Sequence, residues 1–347
     1  IFMVDLINLA LVALSLVNGT SGVKIDWSGD YVDSTNWTNG NSNVSEVSNS
    51  NSLNLVIYDK ETGTISNNSV SYSSFPSLET ESKYPENYSE SEYSFDNHGY
   101  NTYSNYKKNY IVPNNSDRKK FKLSAICETI SKRGSAEVYG SAFVVSNNMI
   151  MSAAHCFYDK NGFYDSSYVG AIQHDDKSVF DAGFEVSKII MPKSYYENIN
   201  DNANDWCICV LKKFFDKEQG NKYYDISHYT GYLSIASGYT LAGCYNYACG
   251  YPGDLPTSDS SYFKLSYSPA SETNGYDDDF FYLNSYVVGG MSGGPVIFNY
   301  ENSMTFESYE GVAGIITRTH ISDKRGIAVR ITNKIIETER MMEKYYA

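Results

Sequence analysis

Basic residues are few in this 347-residue chain: 27 Lys and Arg stand against 41 Asp and Glu, a net charge of −14. No basic stripe offers a footprint for DNA or RNA, so no nucleic-acid partner is expected. Long apolar runs are nearly absent too. The one that exists, Leu6–Val17, is short for a membrane-spanning helix and is terminal, which excludes a multi-span membrane protein. Cysteine is sparse: six residues, all after position 126. Proline is rarer still for the length, at eight, whereas tyrosine is abundant at 33.

What is present divides the chain in two. Residues 1–106 carry a net charge of −10 and the remainder only −4. Leu6–Val17 has the length of a signal-peptide apolar region, with Gly19 and Ser21 as small residues for cleavage. The basic start usual for such a peptide is absent, and the chain opens Ile-Phe-Met. The expectation is a signal peptide over residues 1–19, no membrane span once it is removed, and a secreted, extracellular protein. Asn-x-Ser/Thr acceptors at Asn18, Asn36, Asn43, Asn67, Asn87 and Asn114 agree with secretion.

From residue 20 to 108 the chain is rich in Ser, Asn, Tyr and Glu and has little periodicity. Only Leu53–Ile65 suggests a hairpin, and a lone hairpin is marginal in water. This stretch is therefore expected to be a largely disordered, glycan-prone pro-segment that adds little to a core. Lys107-Lys108 and Arg118-Lys119-Lys120 are basic clusters at its edge, suited to a processing protease, with the first site preferred.

After residue 120 short β-rich runs appear: Ala136–Val145, Met149–Ala153, Trp206–Leu211, Tyr239–Tyr245, Val287–Val288, Pro295–Phe298, Gly311–Ile316 and Gly326–Ile331. Turn signals between them predict an all-β sandwich or barrel. Apolar spacing predicts a closing helix over Thr332–Tyr346.

Three segments carry chemistry. Met151–Cys156 (MSAAHC) places His155 just after a strand pair. Asn204–Leu211 (NDWCICVL) brings Asp205 into an apolar strand. Gly289–Val296 (GGMSGGPV) sets Ser292 between glycine pairs. A serine hydroxyl needs a base to take its proton as it attacks, and histidine titrates nearest neutrality. A carboxylate fixes the histidine tautomer and stabilises the imidazolium. Flanking glycines allow a tight turn whose backbone donors hold an oxyanion. The three are 50 and then 87 residues apart. Asp201 is the competing acid, but Asp205 abuts a strand and so has the stiffer mount. With an ordinary histidine, activity would rise with a midpoint of about 6.5–7.

SAAHC and GMSGGPV resemble the catalytic-histidine and catalytic-serine motifs of trypsin-like (chymotrypsin-fold) serine endopeptidases. Tyr110–Arg118 (YIVPNNSDR) and Gly250–Asp254 (GYPGD) are similar to the V8-type glutamyl branch, in which the first of these lies at the start of the mature enzyme. The resemblance implies two six-stranded antiparallel β-barrels over residues 109–347, with the cleft between them and the C-terminal helix after them. It implies His155 as general base, Asp205 as its orienting acid, Ser292 as nucleophile and the N–H groups of Gly290 and Ser292 as oxyanion hole. Protein or peptide substrates follow, without a cofactor.

The chain departs from the family at several points. Met291 stands where trypsin-type enzymes have the Asp that captures the new N-terminus. The substrate-pocket positions are Tyr286, Val287 and Ile316, which lack the groups for binding Arg/Lys or glutamate; His320 is the nearest downstream histidine. Period-two spacing puts Cys207 and Cys209 on one face, which the resemblance makes the barrel interior, as buried thiols. Cys244–Cys249 and Cys127–Cys156 are left as the expected disulfides, although the usual partner of the cysteine after the histidine would lie near Gly140. The C-x-C and C-x4-C spacings do not suit zinc, so no metal is expected. Two other readings remain: a catalytically idle protease-fold binding module, and a surface or coat glycoprotein.

Overall fold

The computed structural model describes residues 51–72, 79–86, 92–95, 100–101, 110–173, 180–237, 245–258, 262–302, 307–320, 322 and 324–346. The expected signal peptide, Lys107-Lys108, Cys244 and the acceptors Asn18, Asn36, Asn43 and Asn87 lie outside them. Among the described residues no helix is long and apolar enough to cross a membrane.

Two six-stranded antiparallel barrels form the body, as expected. The first contains β3 (Ile126–Arg133), β4 (Ala136–Ser146), β5 (Met149–Ser152), β6 (Ser166–Gln173), β7 (Phe180–Pro192) and β8 (Cys207–Leu211). Its order is β8-β5-β4-β3-β6-β7, closed by β7 on β8. The second contains β9 (Tyr245–Gly250), β10 (Ala270–Tyr276), β11 (Phe280–Tyr286), β12 (Pro295–Asn302), β13 (Glu307–Thr319) and β14 (Arg325–Arg330). Its order is β9-β12-β13-β14-β11-β10, closed by β9 on β10. Helix α1 (Asn333–Tyr346) follows, burying Ile335, Ile336 and Met342 as its spacing predicts.

Alternation drives the strands that are covered on one face. In β7, Ala182, Phe184 and Val186 point inward while Gly183 and Glu185 stay exposed. Further along, Ile189, Ile190 and Met191 are all buried, because that half of β7 is covered on both sides.

The cover comes from residues 51–72, a described part of the segment expected to be largely disordered, and this corrects the expectation that the segment adds little to a core. β1 (Asn51–Asp59) and β2 (Thr64–Tyr72) form the hairpin, and β1 pairs with β7: Leu55 opposite Pro192, Val56 opposite Met191, Ile57 opposite Ile190. β6 pairs only with the first half of β7, from Phe180 to Glu185, which leaves the second half an open edge. The apolar run Leu55–Ile57 closes it and is buried. An edge strand exposes unpaired N–H and C=O groups, and adding a strand satisfies them. A hairpin marginal alone is thereby held by its host. Tyr93 and Phe95 are buried as well, packed edge-on or stacked against Tyr267 and Tyr247 of the second barrel.

Several boundaries shift. Of the expected strand Tyr239–Tyr245 only Tyr245, the first residue of β9, lies among the described residues, and β11 stops at Tyr286, one residue before the expected Val287–Val288 strand. Arg118 is not part of an exposed basic cluster. It is buried, donating from Nε to the Pro113 carbonyl (3.1 Å) and from Nη1 to Gln173 Oε1 (3.3 Å). Lys119 pairs with Asp181 and Lys120 with Asp117. Of the acceptor asparagines, Asn67 is exposed on β2, whereas Asn114 caps a four-residue helix by accepting from the Asp117 N–H.

Candidate active site

His155 and Asp205 meet because their strands do. β5 and β8 are paired through Ser152 and Cys207, so the residues leaving that end of each strand converge. After Ser152 the chain enters a single 3-10 turn, Ala154–Cys156, which turns the imidazole toward Asp205. The His155 Nδ1 to Asp205 Oδ2 distance is 2.7 Å, and the His155 backbone N–H donates to Oδ1 at 3.0 Å. Asp205 is buried, and each of its oxygens accepts from His155; the Tyr195 hydroxyl also bonds its carboxylate. The competing Asp201 accepts from Asn204 Nδ2 (3.0 Å) instead.

Burial by itself lowers the histidine pKa. The carboxylate of Asp205 outweighs that effect, and the imidazole is held well above its ordinary value. The expected midpoint of about 6.5–7 is therefore corrected upward.

Ser292 lies in the loop between β11 and β12, and both barrels brace it. Gly293 N–H donates to the Ile316 carbonyl (2.6 Å) and Ile316 N–H to the Gly294 carbonyl (2.9 Å), tying the loop to β13. From the first barrel, Ser141 N–H donates to the Ser292 carbonyl (2.7 Å), and Ser141 Oγ donates to the Gly290 carbonyl (2.7 Å). The Ser292 hydroxyl makes no hydrogen bond to His155 in this structure; such bonds are often long in unliganded sites and tighten around substrate. Gly290 and Gly293 adopt φ of +91° and +86°. A Cβ at Gly293 would collide with the Ser141 carbonyl and Ser152 Oγ, so the glycine is required. The Met291 N–H bonds the Val288 carbonyl, that of Gly293 bonds Ile316 and that of Gly294 bonds Met291, while the N–H groups of Gly290 and Ser292, like those of Val288 and Gly289, are not used in these backbone bonds.

Of the expected pocket residues, Val287 and Ile316 are fully buried in the second-barrel core. Tyr286 donates to Asp254 Oδ2 (3.1 Å), while Tyr110 donates to Oδ1 (2.9 Å) and packs edge-on against the Tyr286 ring (5.4 Å). The GYPGD segment thus has a mechanical job, since Gly253 N–H also donates to the Gly289 carbonyl (2.7 Å). His320 bonds Ser322 in the β13–β14 turn.

The expected Cys127–Cys156 disulfide is not formed: Cys127 and Cys156 are free, buried thiols. Cys249 is a buried thiol too, and its expected partner Cys244 lies outside the described residues. Cys156 Sγ faces Gly140 and the Ser292 carbonyl (3.5 Å). Cys127 pairs across the sheet with Ala142, one inward position beyond the Thr129–Gly140 pair that Cys156 meets. Cys207 and Cys209 are buried on one face with sulfurs 3.9 Å apart, in line with the strand alternation.

Sequence reasoning did not single out Ser141, whose side chain also accepts from the Tyr251 N–H (2.9 Å), nor Thr317, whose buried hydroxyl is unpaired. Neither has a local signal; each matters only through residues distant in the chain.

The sequence profile of the family described as Trypsin matches residues 126–336. No curated protein matches in sequence. Among solved structures, a Glu endopeptidase in complex with MPD aligns at 14% identity with a TM-score of 0.54, covering 69% of this chain and 99% of that one. The protease Anisep from Arthrobacter nicotinovorans aligns at 15% identity with a TM-score of 0.46, covering 62% and 93%.

Proposed function

The chain belongs to the trypsin family of serine proteases, and from that premise we propose that it is a secreted serine endopeptidase, made as a precursor. The observation that carries this reading is the 2.7 Å contact of His155 Nδ1 with the buried Asp205, beside a glycine-flanked Ser292 loop braced by both barrels.

In the proposed reaction, His155 Nε2 takes the proton of Ser292 Oγ as that oxygen attacks the peptide carbonyl carbon. The resulting oxyanion accepts hydrogen bonds from the Gly290 and Ser292 N–H groups. The imidazolium, stabilised by Asp205, passes its proton to the leaving amine, and an acyl-enzyme ester remains. Water activated by the same histidine then hydrolyses the ester and restores Ser292. Beyond Ile316, whose N–H and C=O are bonded to the serine loop, β13 is paired with β14 and not with β12, and this open edge suits an extended peptide.

Secretion is supported by the apolar run Leu6–Val17 and the Asn-x-Ser/Thr acceptors. Processing at Lys107-Lys108 is favoured over the second basic cluster, because Arg118 is buried.

Covalent labelling with a fluorophosphonate tests the reading. Protein processed after Lys108 should be modified at Ser292, and the Ser292→Ala variant should not. Processed wild type that resists labelling would favour the idle binding module instead.

A further inference from the structure

We infer that Arg318 forms an anion-binding subsite beside Ser292 and selects substrates with a carboxylate side chain two or three residues before the cleaved bond. This inference rests on the endopeptidase reading above.

Arg318 is carried by β13, the strand whose Ile316 braces the serine loop on both sides. A register shift between Ile316 and Arg318 separates the fully buried Ile316 from the half-exposed arginine. The guanidinium lies 4.7 Å from the centre of the Phe280 ring. Its Nε is buried and has no hydrogen-bond partner.

The two carboxylates whose fields reach it are Asp205 and Asp277. Both are engaged elsewhere. Asp205 holds His155 through both oxygens. Asp277 accepts from the Asp279 and Phe280 N–H groups and from the Tyr282 hydroxyl. Arg318 is thus a partly desolvated cation in the field of the proposed catalytic acid, without an ion-pair partner of its own.

Removing a charge from water without pairing it is costly, so a carboxylate that reached this group would be bound strongly. Guanidinium and carboxylate match in a planar, two-bond geometry that lysine cannot reproduce. The contact with the Phe280 ring restricts the guanidinium in advance, which reduces the entropy lost on binding.

The side of the substrate follows from the strand. An extended peptide added to the open edge of β13, with its reacting carbonyl at Ser292, runs past Thr317–Thr319. The residues facing this stretch are those just before the cleaved one. The cleaved residue itself falls to the positions of Tyr286, Val287 and Ile316, which carry no charge. The carboxylate preference therefore lies outside the primary pocket.

The test uses the full chain, processed after Lys108, and peptides that differ only in Glu or Gln at the second or third residue before the cleaved bond. Wild type should cleave one of the Glu peptides with kcat/KM about tenfold above its Gln twin, as a charge-assisted pair gives. Arg318→Gln should bring that ratio to about one, and Arg318→Glu should favour a Lys peptide. Raising salt from about 0.05 M to 1 M should shrink the wild-type ratio, a check that needs no variant to fold. Equal rates on Glu and Gln peptides by a labelled wild type, or a ratio unchanged in Arg318→Gln, would overturn the inference alone. Wild type that neither labels nor cleaves would bring down the enzyme reading, and this inference with it.

Discussion

Cys156 Sγ stands where the side chain of residue 140 would otherwise begin: a Cβ built on Gly140 lies 2.6 Å from the sulfur and 2.8 Å from Thr129 Oγ1. The thiol fills space vacated by the missing side chain. Gly140→Ala should overpack this spot and cost about 1–3 kcal/mol in denaturant unfolding. Gly140→Cys should instead bond to Cys156 under oxidising conditions. A cross-link closing a loop of this length stabilises by roughly 3 kcal/mol. Non-reducing peptide mapping decides it: failure to recover the linked 140/156 peptides would mean the two positions are not apposed.

The paired acid is Asp205, so Asp205→Asn should lower kcat by about 10³-fold or more, with Ser292→Ala and His155→Ala at least as severe. Asp201→Asn, whose carboxylate is bonded to Asn204 and not to His155, should stay within a few-fold of wild type. Steady-state kinetics on one peptide separates them, and a severe Asp201→Asn would move the acid to that residue.

With the His155 pKa raised, the active neutral imidazole forms only at higher pH, so the rise of kcat/KM should have its midpoint above about 6.5–7. The stability sign is opposite. The His155–Asp205 attraction is fully present below the unfolded-state pKa of about 6.5 and fades as pH rises through the folded value. Following the imidazole by NMR should give a wild-type midpoint above 6.5 that falls in Asp205→Asn. A wild-type midpoint at or below 6.5 would show that desolvation wins over the carboxylate.

The hairpin β1–β2 is expected to contribute to stability. Leu55 of β1 is fully buried, opposite Pro192 of β7, so Leu55→Ala should cost about 2–5 kcal/mol in thermal or denaturant unfolding. After cleavage at Lys107-Lys108 the N-terminal fragment should remain bound through β1, and Tyr93 and Phe95 should stay buried against Tyr267 and Tyr247. Gel filtration of the cleaved protein, with N-terminal sequencing, tests this. A lone fragment eluting separately, and an unchanged melting temperature, would make the hairpin an appendage.

The amino-acid sequence alone determined the order His155, Asp205, Ser292, the glycines around the serine, the shared face of Cys207 and Cys209, and the closing helix. Each of these is a local property: a residue type the chemistry demands, or a period set by strand or helix geometry. Strand β7 was not among the expected runs: Ala182, Phe184 and Val186 alternate in its first half, but its second half loses that pattern because β1 covers it. What depended on distant partners was decided only in the tertiary structure. The open edge of β7 gave a hairpin, marginal by itself, the neighbour it needed, and Gly140 left Cys156 without a partner. Arg118 looked like a solvated charge until Gln173 and the Pro113 carbonyl enclosed it. Arg318 became notable only when both nearby carboxylates proved to be committed elsewhere. Pairing across the fold depends on which groups are already satisfied, and no local period or composition records that.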